Sequence, residues 1–440
     1  MKKIFFSILF LSGFIKLSAQ ENVYPATKQM GTTVITNATV HVGNGQVLNN
    51  ASIEIKDGKI TQVGTSITPT AGATVVNAQG KHVYPGLILP ISTLGLVEIS
   101  SVRATSDAQE IGEMNPNVRA IIAYNTDSRV INTLRSNGIL LANVVPQGGT
   151  LSGTSSVVQL DAWNWEDAAY ATDQGVHFRM PTLMARPRFG GFGGGGGGGP
   201  QQPQPDPVKE GLDRIEEIKN FFHEAKAYNA ESTHAVTNLK LESVKGLFDK
   251  KQKLYIHANT VKQMLIALEF VKEFGFDVVI VGGMDSWQIA DMLKAHNVSV
   301  ILNQPHSLPT LGDDDVDQPY KTAAMLQKAG VTFAISDDDG QTRGRNLAFN
   351  AGTAAAYGLS KEEALQAITL NAAKVLGISD KTGSLEVGKD ANIIISEGDI
   401  LDMRTSNVTD AFIQGRKIDL TDKHKLLYDR YNHKYGLKPF

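Results

Sequence analysis

Few residues in this chain combine a reactive side chain with a setting that chemistry would use. His257 closes the apolar run Leu254-Tyr255-Ile256, which puts an imidazole at the end of a strand. Three consecutive carboxylates, Asp337-Asp338-Asp339, follow a second apolar run from Val331 to Ile335. Another acidic run, Asp313-Asp314-Asp315-Val316-Asp317, is rich in oxygen ligands. It lacks the spacing of an EF-hand and reads as a solvated loop. His41, His177, His234, His306, His424 and His433 are scattered without ligand spacing. Cysteine is absent, which removes disulfides, thiolate nucleophiles and Cys-based metal sites together.

The elements that must position these groups are legible in outline. From Thr32 to Val63 short alternating runs are separated by the turn dipeptides Asn44-Gly45 and Asp57-Gly58, as in a small antiparallel sheet. A second strand-rich stretch lies near the other end, at Ala391 to Ile395 and Ala411 to Gly415. The two together predict one composite β-sandwich. Between them strands alternate with helices. Val261 to Phe274 has helical spacing and stops at Gly275; Asp285 is placed to cap a helix after the strand Val278 to Val281; another helix ends at Ala329 before Gly330; and Ser360-Lys361-Glu362-Glu363 is a capping box. Repeated strand–helix units imply parallel strands with right-handed crossovers, in an open sheet or a closed barrel.

Gly190 to Gly199, glycine apart from Phe192, runs into a Pro/Gln stretch. Without a strand before it or Lys-Ser/Thr after it, this segment (190–207) reads as a flexible insertion and not as a phosphate cradle. Leu212, Ile215, Ile218, Phe222 and Ala225 then recur at helical spacing, as a core-facing stripe would. Val144-Val145-Pro146-Gln147-Gly148-Gly149 and Ser152 to Ser156 form a Gly/Ser-rich stretch whose amides could hold a carboxylate. Trp163 and Trp165 read as packing residues.

Two segments carry a family resemblance. Asn77 to Ile88 (NAQGKHVYPGLI) is similar to the entry into the first barrel strand of the amidohydrolase superfamily, imidazolonepropionase-like members included. Ala364 to Leu376 with Gly383-Ser384-Leu385-Glu386-Val387-Gly388-Lys389-Asp390-Ala391 is similar to that family's exit. The resemblance implies a TIM (β/α)8 barrel over residues 85–379, with residues 20–84 and 380–440 forming the composite sandwich. It also implies a divalent metal, zinc, at the C-terminal mouth. On this alignment His257 matches the fifth-strand metal ligand, and Asp338 matches the eighth-strand Asp that ligates and takes the proton from water; Asp337 is its neighbour if the register slips by one. Ile91 and Thr93 stand where the first-strand His-x-His belongs, and Gly282 stands for the sixth-strand histidine. A fourth-strand bridging residue has no evident counterpart. With two of four ligands, the metal site is expected to be reduced, weak or absent.

With 42% hydrophobic and 20% charged residues among 440, the chain can build a large core, and a net charge of −3 offers no basic field for nucleic acid. Lys2 and Lys3 before an apolar run from Ile4 to Ile15, then Leu17-Ser18-Ala19, form a signal-peptide pattern over 1–19, too short for a comfortable membrane span. The mature protein is therefore expected to be exported, periplasmic or extracellular. Its expected partners are a small-molecule substrate or ligand and, by the resemblance, a paralogous amidohydrolase subunit in a homo- or hetero-oligomer. A hydrolase of carbon–nitrogen bonds, a catalytically inactive binding homologue and a surface scaffold are the three functions these residues allow.

Overall fold

The computed structural model describes residues 23–184, 206–231, 233–337 and 342–437. The N-terminal apolar run, most of the glycine-rich insertion, and Asp338 and Asp339 lie outside them. Strands β1 (Thr32–His41), β2 (Val47–Lys56), β3 (Lys59–Gly64), β4 (Thr74–Asn77) and β5 (His82–Pro85) open the described chain. Then come β6 (Leu87–Ser92), β7 (Ile139–Val144), β8 (Leu151–Gln159), β9 (Ala169–Arg179), β10 (Lys253–Ala258), β11 (Val278–Gly282), β12 (Ser299–Leu302) and β13 (Phe333–Ile335). Strands β14 (Ile393–Ser396), β15 (Val408–Ile413) and β16 (Arg416–Lys417) complete the set.

Among the described residues these strands make two sheets. One runs β16-β15-β14-β5-β1-β2-β3, with β4 beside β1, so both ends of the chain share a single ladder. Its junction is the antiparallel pairing of β14 with β5, where Ile394 lies opposite Tyr84. Alternation does the rest: Ile35, Ile53, Ile55, Val83, Ile393 and Phe412 are buried together on one face.

The second sheet runs β13 through β6 in order and curls into a nearly closed barrel. Ile88, Leu141, Val157, Tyr255, Val279, Ile301 and Ala334 fill its interior, one from each of seven strands. The helix Leu370–Val375 plugs the end away from the mouth with Ala372, Ala373 and Val375. Outside, strand residues of the opposite parity, such as Ile256, Ile280, Val300 and Phe333, pack beneath the helices. Several of those helices start and stop where the sequence signals lie. Thr260 and Gln263 close a capping box before Val261–Phe274, and Gly275 ends that helix at φ 71°. Ser360 and Glu363 form a second box, and Gly330 ends Gln318–Ala329 at φ 72°. In the long helix Pro207–Ala230, capped by Asp206, Ile215, Ile218, Phe222 and Ala225 are buried as expected, whereas Leu212 faces solvent.

One strand departs from a regular (β/α)8 pattern. β8 runs antiparallel to both β7 and β9, while the other barrel pairings are parallel. The cause is the connection. Only Val145 to Thr150 separates β7 from β8, and a parallel crossover needs about a dozen residues or more. The chain can only turn back.

A buried carboxylate ties the two sheets together. Asp161, just after β8, accepts from Arg135 Nη1 at 2.5 Å, Arg416 Nη1 at 3.0 Å and the Ala26 amide at 2.9 Å. Its side chain is wholly inaccessible, and that of Arg135 nearly so. Arg416 also reaches Gln159 Oε1. Removing the carboxylate strands two guanidinium groups, so Asp161→Ala should lower unfolding free energy by about 3–5 kcal/mol. Adding Arg135→Met should recover part of that loss. Urea denaturation of the three proteins checks this; a single-mutant effect below about 1 kcal/mol would remove the network from the stability argument.

Candidate active site

The mouth of the barrel is where strands β6, β7 and β9 to β13 end and where the reversed β8 begins. His257 stands there on β10, half-buried, on the inward parity shared with Tyr255. The residue that meets it was invisible in the sequence. His177, on the adjacent β9, lies opposite Tyr255 in the ladder and stacks on its ring at 4.9 Å between centroids. Its Nδ1 is 3.0 Å from His257 Nε2. His177 is completely buried, and its Nε2 has no hydrogen-bond partner. A buried bare lone pair costs less than a buried unsatisfied N–H. The favoured tautomer therefore has His177 donating Nδ1–H to His257 Nε2, which occupies the lone pair that would otherwise face a metal or a proton.

Burial drives both imidazoles well below their usual pKa, and the positive charge of Arg179 adds to the shift. They are neutral at pH 7. Arg179 is the next inward position on β9. It donates Nε–H to Ser152 Oγ and Nη2–H to the Pro146 carbonyl, both at 3.3 Å. Burial holds its own pKa down, and among the described residues no carboxylate pairs with it. The Gly/Ser-rich stretch thus anchors an arginine here through Ser152, which lies within β8.

The other expected positions sit as follows. Ile91 packs against the barrel interior, its carbonyl accepting from Ser336 Oγ at 3.3 Å, and Thr93 is buried just beyond β6. Level with His257 on β11 is Val281, an apolar side chain. Gly282 beside it has φ +99°, and a Cβ there would lie 2.2 Å from Asn259 Oδ1. A histidine at 282 would be strained by that backbone and would have to displace the Asn259 side chain. Asp337, the alternative if the register slips by one, directly follows β13. Its carboxylate is buried, and Oδ2 accepts from Asn350 Nδ2 at 3.1 Å, on the helix Leu347–Ala356. Asp338 lies outside the described residues. The fourth strand of the barrel is β9, and its inward residues at the mouth are His177 and Arg179, neither a carboxylate.

These residues do not fit a complete metal centre. Among the described residues no group of three or more His, Asp or Glu converges on one point, and zinc wants about three protein ligands plus water. In the acidic loop, Asp315 is taken by Lys321 and Asp314 Oδ2 by the Leu311 amide. Trp163, read as a packing residue, is instead exposed, with its ring 6.1 Å from that of Tyr24.

A barrel plugged at one end and carrying a polar mouth at the other, with a sheet built from both chain ends, is the frame that the resemblance to amidohydrolases implies. Comparison with known proteins agrees: residues 152–418 match the model of the Amidohydrolase family, and the chain belongs to that family. An amidohydrolase from Thermotoga maritima superimposes with a TM-score of 0.74 at 24% identity, covering 88% of this chain and 99% of the other. An imidazolonepropionase from Flavobacterium psychrophilum is 30% identical over 158 residues, which are 31% of this chain and 38% of that enzyme. One from Thermoplasma volcanium is 40% identical over 86 residues, 19% of this chain and 21% of its own. The chain thus spans well under half the length of these curated relatives.

The neutral histidines predict an acid-sensitive fold. Their folded pKa values lie below that of a free histidine, so the unfolded state binds more protons once pH drops under about 6.5. Stability should fall as pH falls from there towards the folded pKa values, by up to about 1.4 kcal/mol per pH unit for each histidine. His177→Gln with His257→Gln should flatten that slope. Urea unfolding between pH 5 and 7 in the presence of a chelator measures it, and an unchanged slope in the double variant would place the acid sensitivity elsewhere.

Proposed function

We propose that this protein is exported and hydrolyses carbon–nitrogen bonds in a small amide or cyclic amide that carries a carboxylate, from a reduced metal site. The observation that carries the reading is Arg179: a half-buried guanidinium at the barrel mouth, beside two neutral histidines, with no carboxylate among the described residues paired to it. Arg179 supplies a planar donor pair suited to a carboxylate. The curated relatives are named for an imidazolone bearing a propionate. His257, its Nε2 held by His177, presents the other edge of its ring to the mouth, where Nδ1–H can polarise a carbonyl oxygen. The proton-accepting role falls to Asp338 by its match to the family motif. Export rests on the residues of the N-terminal segment.

A second reading is favoured by one specific feature. Ile91 and Gly282 stand where the family's imidazoles belong, and Val281 is apolar beside them, as expected of a homologue that binds a ligand without turning it over, or that pairs with an intact paralogous subunit. Both readings share the arginine and part on chemistry.

Two measurements separate them. Purified protein should hold well under one equivalent of zinc by elemental analysis, because a His pair closed on itself cannot complete a tetrahedral site. In hydrolysis assays with paired cyclic amides, one carboxylated and one neutral, Arg179→Met should raise KM for the carboxylated member about 10- to 100-fold, the worth of a charge-assisted hydrogen bond. The neutral member should change little, and Asp338→Asn should abolish kcat. Binding of the carboxylated compounds without turnover, in wild type as in Asp338→Asn, would replace hydrolysis with the binding reading.

A further inference from the structure

Asp285 was expected to cap a helix, and it does not. It precedes the short 3-10 turn Ser286–Ile289, and its carboxylate makes no capping bond. The residue is only 5% exposed, and among the described residues no Lys, Arg or His pairs with it. A buried carboxylate without a counter-ion is expensive to keep in a stable fold. The cost shows in its acidity: burial raises the carboxyl above its usual range, and the charge of Asp314 adds to the rise.

Asp285 borders a cavity of about 240 Å³ between the ends of β11 and β12 and the helix Gln318–Ala329. None of His177, His257 and Arg179 lines it. Two carboxylates, Asp285 and Asp314, share its wall with the rings of Trp287 and Tyr320 and the apolar Leu302 and Pro305. Two acids with no base, set among aromatic faces, form a negative and partly dry enclosure. That chemistry selects a cation with an apolar body: the charge meets the carboxylate, and the rings add their quadrupoles. An inorganic divalent ion is a poorer fit, because no third acidic or imidazole ligand converges among the described residues.

We propose that this cavity is a second ligand site, which binds a small organic ammonium ion through Asp285. The site is separate from Arg179, so it stands whether or not the barrel mouth proves hydrolytic. Its charge preference is opposite to that of the mouth, so one molecule with a carboxylate at one end and an amine at the other would be sorted by charge between the two.

Benzylamine and benzyl alcohol, nearly isosteric and differing in charge at pH 7.5, test the assignment by calorimetric titration of the full-length protein. The amine should bind saturably and the alcohol at least tenfold more weakly. Asp285→Asn should cut amine affinity at least tenfold and bring the two compounds level. Asp313→Asn, on the exposed loop outside the cavity, should leave amine affinity within twofold. If Asp285→Asn does not fold, Trp287→Ala, at a half-buried wall position, should weaken the amine more than the alcohol. Equal binding of the two compounds, undiminished amine binding by Asp285→Asn, or equal losses from Asp313→Asn and Asp285→Asn would overturn the proposal.

Discussion

One inaccessible carboxylate holds this architecture in register. Asp161 collects an amide from the N-terminal segment, a guanidinium from the helix Arg129–Ser136 and another from β16. Each partner belongs to a different part of the fold, and each would otherwise present a free donor in a dry interior. The apolar contacts around them, such as Ile394 against Gly138, fix distance but not angle. Directional bonds to a single acid supply the angle. That matters because the sheet made from both chain ends must dock on the barrel in one orientation. Tyr170 donating to Asp390, itself paired with Lys59, repeats the device on a smaller scale at the base of β9.

The mouth follows a different economy. Its histidines are kept neutral by burial and spend their hydrogen bonds on one another, while the charge sits on Arg179. Positive charge beside neutral imidazoles discourages a cation and favours an anion. The same arrangement explains why restoring a family-like ligand set is not a matter of single replacements. Gly282 is committed to a left-handed backbone with Asn259 against it, and Ile91 is part of the packed barrel interior.

Much of the frame could be read from the residues, because capping boxes, left-handed glycines and period-two strands are local signals. The helices after β10 and β12 end at Gly275 and Gly330, and the composite sheet pairs the two terminal segments. What could not be read depended on register between distant strands. His177 meets His257 from 80 residues away, and only the ladder shows it. A weak trace was present: Gly175, His177 and Arg179 alternate with Val176 and Phe178, the pattern of a strand with one polar face. Asp285 misled for the opposite reason. Its local setting is that of a cap, and its burial against a cavity wall is a tertiary fact. The reversed β8 was hidden by counting elements without weighing the length of the link before it.

That reversal shapes what the rim can become. In a barrel of parallel strands every strand delivers a fresh loop to the mouth. Here β7 and β8 share one short turn on that side, and the link from β8 to β9 emerges at the far end. The gap is covered by the long excursion after β6, whose Gln109, Met114 and Arg119 bridge to Gln147, Leu151 and Thr154. One sector of the rim is therefore laced backbone to backbone, with little freedom to vary. The opposite sector, after β11 and β12, is loop and short helix around a cavity. Descendants of this protein acquiring new ligands would be expected to diverge there first, with the laced sector inherited nearly intact.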